Sequence, residues 1–190
     1  MNPIDIAGRA LGLNESDKKA ALQDFMATGG MNLDPATRAW CADFVNATLA
    51  QSGMKGTGSG MARSFLEWGQ EVTQPQRGDV AVFSRGDPNG PFGHVGFFEG
   101  YNPDGTIRVL GGNQGDAVSI ANYGADQLLG FRRGEGMTGN ALAQGPQMPG
   151  MQPQNALAQP TLQDFGFKSA MLDPQAFARP TNALALRPVV

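Results

Sequence analysis

The chain has 190 residues, a net charge of -3 and a pI near 5.1, long enough for one domain with its own core and without the basic balance of a nucleic-acid binder. Its single cysteine excludes an internal disulfide framework and leaves the redox compartment open. No stretch approaches the ~20 apolar residues of a membrane-spanning helix, and the first residues lack the basic-then-apolar pattern of a signal peptide, so a soluble product without an export signal is expected.

Ile4, Ile6, Ala7, Ala10 and Leu11 predict a short amphipathic helix over residues 3–13, closed at Gly12. A second is expected from Asn14, with Glu15 and Asp17 in its first turn and Ala21, Leu22, Phe25 and Met26 on its buried stripe before Gly29-Gly30. The third carries the cysteine: Trp40, Cys41, Phe44, Val45, Thr48 and Leu49 keep a helical rhythm up to Gly53. Two starts fit, Asp34 capping with Pro35 in the first turn, or Thr37 capping a helix whose first turns contain Cys41. In the second case unpaired N–H groups favour the thiolate and lower its pKa. A lone buried cysteine also reads as a small hydrophobe. Residues 56–60 are glycine-rich but lack the Gly-Lys-Ser/Thr ending of a phosphate loop and read as a connector, after which Ser59 caps a short helix through Phe65 and Trp68.

From Gln74 the apolar period changes to two and turn residues become dense, which predicts antiparallel strands over 79–83, 94–98, 106–110 and 117–121, with a weaker fifth over 129–132. Helices first and a sheet afterwards define an α+β class. Composition shifts near Gly134. Residues 134–190 hold more than half of the 13 prolines, few charges and three Asn-Ala-Leu-Ala repeats. Such a segment buries too little apolar surface to order by itself, so residues 1–133 are expected to form the domain and 134–190 an extended tail held by a partner.

His94 is the only histidine and opens a strand in Gly93-His94-Val95-Gly96-Phe97. With the hairpin turn centred on Asn102 and Pro103, His94 lies across from residues 110–112, and Asn113 stands close beyond. A thiol on a helix N-terminus, an imidazole on a strand and an amide on the next strand supply what nucleophilic amide chemistry requires: an attacking sulfur, a proton carrier and a group that fixes the ring's tautomer.

The motifs Trp40-Cys41-Ala42 with Phe44-Val45-Asn46, Gly56-Thr57-Gly58, Arg77-Gly78-Asp79-Val80, Gly93-His94-Val95-Gly96-Phe97 and Leu110-Gly111-Gly112-Asn113-Gln114 resemble, in order, those of papain-like cell-wall cysteine hydrolases of the NlpC and CHAP kind, above all a subgroup common in bacteriophages. The resemblance runs over about residues 4–133. It implies a cysteine-bearing helix packed on a small antiparallel sheet, with Cys41 as nucleophile, His94 as general base and acid, and Asn113 as the orienting third member. It also implies a peptidoglycan substrate and cleavage of a cell-wall amide through a thioester, by an endopeptidase or an N-acetylmuramoyl-L-alanine amidase.

Two departures from the pattern matter. Gly111 stands where such enzymes often carry an acidic residue, so no fourth polar partner is expected there. Only Asp34 and Asp43 lie near Cys41 where some relatives bind calcium, so neither a metal nor another cofactor is expected. The phage setting implies a virion location with action in the host envelope, and it makes other tail proteins the expected partners of residues 134–190. The competing reading is a structural phage tail protein that keeps the fold without activity. Acyl transfer would use the same three residues.

Overall fold

The switch from a helical period to an alternating one divides the chain as expected, and the computed structural model, which describes residues 1–137, is α+β. Three α-helices come first, α1 (Pro3–Gly8), α2 (Lys19–Thr28) and α3 (Cys41–Gln51). Six strands follow: β1 (Gln70–Val72), β2 (Val80–Ser84), β3 (Gly93–Tyr101), β4 (Ile107–Gly111), β5 (Ser119–Tyr123) and β6 (Leu128–Arg133). They form one antiparallel sheet in the order β1-β6-β2-β3-β4-β5. The expectation of an extended, partner-binding tail falls largely on residues 138–190, which lie outside the described residues.

α3 is buried nearly all round. Its Phe44, Val45 and Leu49 pack with Trp40, Ile4, Leu22 and Met26 onto one sheet face made by Val80, Val82, Val95, Phe97 and Leu110. The opposite face carries its own cluster of Ala81, Phe83, Phe98, Ile107, Val109 and Phe131, so β2 is buried on both sides. Curling of the sheet closes that second cluster. Phe83 on β2 and Tyr123 on β5 have ring centroids 4.6 Å apart although two strands separate them, and a flat sheet would space those strands by roughly 14 Å.

Several expected boundaries move for local reasons. α1 stops at Gly8, and residues up to Gly12 form turns whose Gly12 N–H donates to Val118 O. The Asn14 side chain accepts from the Ser16 and Lys18 N–H groups, capping a turn, so α2 begins only at Lys19. Ahead of Cys41 neither expected start opens α3, and Thr37 closes a 3-10 turn instead of capping the helix. Asp34 caps a single 3-10 turn over Pro35–Thr37, Arg38 is extended, and α3 then starts at Cys41 itself behind Trp40. Strand β1 was not expected at all, and β6, expected as the weak strand, lies inside the sheet between β1 and β2.

The Arg77-Gly78-Asp79 turn is a structural joint. Gly78 has φ 102°, a left-handed conformation that a side chain would strain. Buried Asp79 accepts from the Gln76 N–H at 2.7 Å and takes both arms of Arg133, Nε at 2.7 Å and Nη2 at 2.6 Å. It thus ties the turn before β2 to the end of β6. Asp79→Asn removes the charge from a nearly buried bidentate pair and is expected to cost about 2–4 kcal/mol of stability. Thermal melting checks this, with turnover per folded molecule staying within a few-fold.

Candidate active site

Cys41 occupies the first position of α3, and its side chain is buried. The first N–H groups of a helix have no intrahelical acceptor, and those of Cys41 and Ala42 bear on the sulfur. So does the backbone N–H of Val95 on β3, which places the thiol beside the start of the strand that carries His94.

His94 is 1% exposed, and its ring lies in an aromatic and amide setting. Tyr123 stacks on it at 5.0 Å with an interplanar angle of 14°, and Phe83 faces it across the β2–β3 ladder. Its Nε2 lies 3.0 Å from Gln114 Oε1. The Gln114 amide is itself oriented: its Nε2 donates to Ser119 O at 2.6 Å, and a carbonyl only accepts, so the NH2 group faces Ser119 and the oxygen faces His94. The Tyr123 hydroxyl donates to the same oxygen at 3.0 Å. An accepting oxygen requires the proton on His94 Nε2, which leaves Nδ1 as the bare lone pair. Among the described residues that Nδ1 is buried without a hydrogen-bond partner, and no hydrogen bond yet joins it to Cys41.

Asn113, expected as the orienting residue, makes no hydrogen bond to His94. The adjacent Gln114 makes that hydrogen bond. Two backbone features account for the displacement. The hairpin turn runs through residues 102–106, with Asn102 N–H bonded to Thr106 O, and a bulge between Phe98 and Gly100 adds a residue to β3. Phe97 therefore pairs with Leu110, whereas a turn centred on Asn102 and Pro103 would pair it with 107–109. Asn113 then takes a left-handed φ of 57°, and the turn delivers the next side chain to the imidazole.

The two glycines before it are required by space. A Cβ on Gly111 would stand 3.0 Å from Gln114 Oε1 and 3.2 Å from His94 Nε2, and one on Gly112 would stand 2.5 Å from the Trp40 ring and 2.7 Å from Phe44 Cβ. The loop is held from outside as well. Val118 N–H donates to Leu13 O, Glu15 N–H to Asp116 O, and the Trp40 indole donates to Glu15 Oε2 at 2.9 Å. The N-terminal segment thus braces both the residue before the cysteine and the loop behind the histidine.

The electrostatics oppose the simple helix-terminus expectation. Burial pushes the Cys41 thiol above its ordinary value, outweighing the lowering by the Val95 N–H, the Arg85 charge and the first N–H groups of α3. Burial also holds His94 down to about 4 against the raising effect of Gln114, with Arg85 pushing in the same downward direction as burial. Burial pushes Tyr123 up to about 12, so it stays a donor to Gln114. Burial thus favours the neutral form of both the thiol and the imidazole, and the expectation of a lowered cysteine pKa is corrected. Iodoacetamide alkylation of Cys41 is accordingly expected to be slow through pH 5–7 and to climb steadily into the alkaline range. A rate plateau in the acid range would reveal a thiolate–imidazolium pair instead.

Of the two aspartates near Cys41, Asp34 binds Lys19 Nζ, and buried Asp43 binds Arg38 Nη2 at 2.7 Å, so each carboxylate faces a cation of the chain itself.

A family model described as the CHAP domain matches residues 33–113, from the turn before α3 to the residue after Gly112. CHAP domains are cysteine- and histidine-dependent amidohydrolases and peptidases acting on peptidoglycan, and the matched segment contains both Cys41 and His94. Gln114 and Tyr123 lie beyond it. No curated protein matches the chain. Gln114 lies in the motif over residues 110–114, next to Asn113, whereas Tyr123 lies two residues past the strand expected over 117–121 and enters the sheet only because that strand runs to Tyr123.

Proposed function

We propose that the chain is a phage-borne peptidoglycan hydrolase that cuts a cell-wall amide through a thioester on Cys41. The observation that carries this reading is the unpartnered Nδ1 of His94, made a proton acceptor by the Gln114 hydrogen bond on the other ring nitrogen, with a thiol at a helix N-terminus that meets the N–H of the next residue, Val95. As the sulfur attacks the amide carbonyl carbon, its proton passes to Nδ1. The oxyanion faces the unpaired N–H groups that open α3. The imidazolium returns the proton to the leaving amine, the C–N bond breaks, and a thioester remains. Water then gives a proton to Nδ1 and its oxygen to the acyl carbon, the C–S bond breaks, and the thiol recovers its proton.

A site that starts neutral needs no stored ion pair. The gain in charge separation occurs only in the transition state, where Gln114 and the N–H groups of α3 already point at the developing charges. The bond cut lies either within the stem peptide or between the lactyl group and L-alanine. Release of dye from labelled sacculi by the purified chain tests the reading, and an unreactive thiol together with intact sacculi would favour a structural virion protein.

The phage setting is supported by the resemblance of the motifs to a bacteriophage subgroup and by the composition of residues 134–190, which suits threading along a partner surface. The described fold closes with β6 at Arg133 and a turn in which Gly134 N–H donates to Met137 Sδ. A chain ending at Met137 is expected to keep its melting temperature within a few degrees and its turnover within about twofold, and to be lost from purified particles.

A further inference from the structure

Arg85 directly follows β2, and its N–H donates to Phe92 O at 3.3 Å, which extends the β2–β3 pairing of Phe83 with His94 and Ser84 with Gly93 by one step. Side chains alternate along strands and directly paired residues share a face, so Arg85, Phe83, Phe92 and His94 stand on one side of the sheet. On that side Arg85 is the diagonal neighbour of His94, at about 7–8 Å, within reach of a long side chain. Its charge acts on Cys41, His94 and Tyr123 together.

The cation is exposed and, among the described residues, belongs to no ion pair, whereas Arg38, Arg77, Arg132 and Arg133 each face a carboxylate. The loop opposite it does not neutralise it. Arg63 donates to Phe92 O at 3.1 Å and to Pro88 O at 2.7 Å, fixing the loop with a second cation, and Asp87 spends a carboxylate oxygen on the Asn89 N–H at 2.9 Å. Phe92 beside it is 71% exposed, an uncovered aromatic surface on the same side of the sheet.

We infer that Arg85 is an anion subsite next to His94, binding a carboxylate of the stem peptide that flanks the scissile amide. The assignment rests on the peptidoglycan reading above. It also explains why a site that must form an imidazolium carries an uncompensated guanidinium next to it. Alone, that charge opposes protonation of His94; paired with a substrate carboxylate, it stops doing so, and the carboxylate assists turnover as well as binding.

The test uses the full chain, as wild type, Arg85→Ala and Arg85→Lys, with two soluble muramyl peptides of one stem sequence, which contain both the lactyl–alanine amide and the stem-peptide bonds, the first with free side carboxylates and the second with the same groups amidated. Wild type is expected to prefer the carboxylate form by ~10–100-fold in kcat/KM, in both KM and kcat, as a charged hydrogen bond implies. In Arg85→Ala the preference falls to about one, and Arg85→Lys keeps a part of it because lysine holds the charge without the fork. Circular dichroism melts establish that the variants fold. A wild type that cleaves both peptides alike, or an Arg85→Ala variant that keeps the preference, overturns the subsite alone. A wild type that cleaves neither overturns the peptidoglycan reading and the subsite with it.

Discussion

Cys41→Ala is expected to reduce cleavage of sacculi to background, a loss of roughly 10⁴-fold or more, because no other group of the site can form the acyl bond. The fold should survive. The deleted sulfur leaves a void smaller than a methylene pair in a core that includes Trp40, Phe44 and Val45, costing about 1 kcal/mol and a few degrees of melting temperature. Clearing activity by dye release and melting by circular dichroism, on one preparation, separate the two effects. A folded Cys41→Ala protein that still clears sacculi would remove Cys41 from the chemistry. Cys41→Ser should be nearly as inactive, since a buried neutral imidazole held down to about 4 is a weak base for a hydroxyl proton.

Gln114→Leu is expected to lower kcat/KM by roughly 100-fold, while Asn113→Ala changes it by less than about threefold. The amide of Gln114 decides which nitrogen of His94 carries the proton, and leucine keeps the volume while removing that decision. The imidazole can then protonate Nδ1, which is the wrong face for taking the Cys41 proton. Leucine also strands the Tyr123 hydroxyl and Ser119 O that the amide serves, so about 1–3 kcal/mol of stability should go with it. Gln114→Glu distinguishes the roles. A carboxylate still accepts from Nε2 and raises the His94 pKa, so it should restore part of the activity and move the acid limb of the pH profile upward from about 4. A larger loss in Asn113→Ala than in Gln114→Leu would return the orienting role to Asn113.

The parts of this site that could be read from the residues are those set by local pattern. The helical stripe from Trp40 to Leu49 and the alternation around His94 depend on periodicities of neighbouring residues, and both elements form where that pattern lies. The third member depended on register, and register was decided by a bulge at β3 and a five-residue turn, neither of which leaves a periodic trace. A shift of one position puts the amide of Gln114, and not that of Asn113, on His94 Nε2. Tyr123 was further out of reach. It meets His94 only because the sheet curls until β5 faces β2, a consequence of twist and packing summed over four strands.

The cysteine's environment shows the same division. Its place near a helix N-terminus belonged to the reading with Thr37 as cap; the break at extended Arg38 moves the start past Thr37 and leaves Cys41 as the first residue of α3. The sign of its pKa shift could not follow from that place, because burial in the core outweighs the helix-end N–H groups. The bidentate hold of Asp79 on Arg133 leaves no local trace, since 54 residues separate the partners.

Mass spectrometry of muropeptides from purified sacculi, digested in parallel with the full chain and with its Cys41→Ala variant, tests the central claim most directly. The expected result is a new set of fragments from the wild-type digest, each differing from its parent by one hydrolysed amide and all sharing one bond position, with none from the variant. An unchanged muropeptide profile, or the same fragments from both proteins, would contradict a cysteine hydrolase built on Cys41, His94 and Gln114.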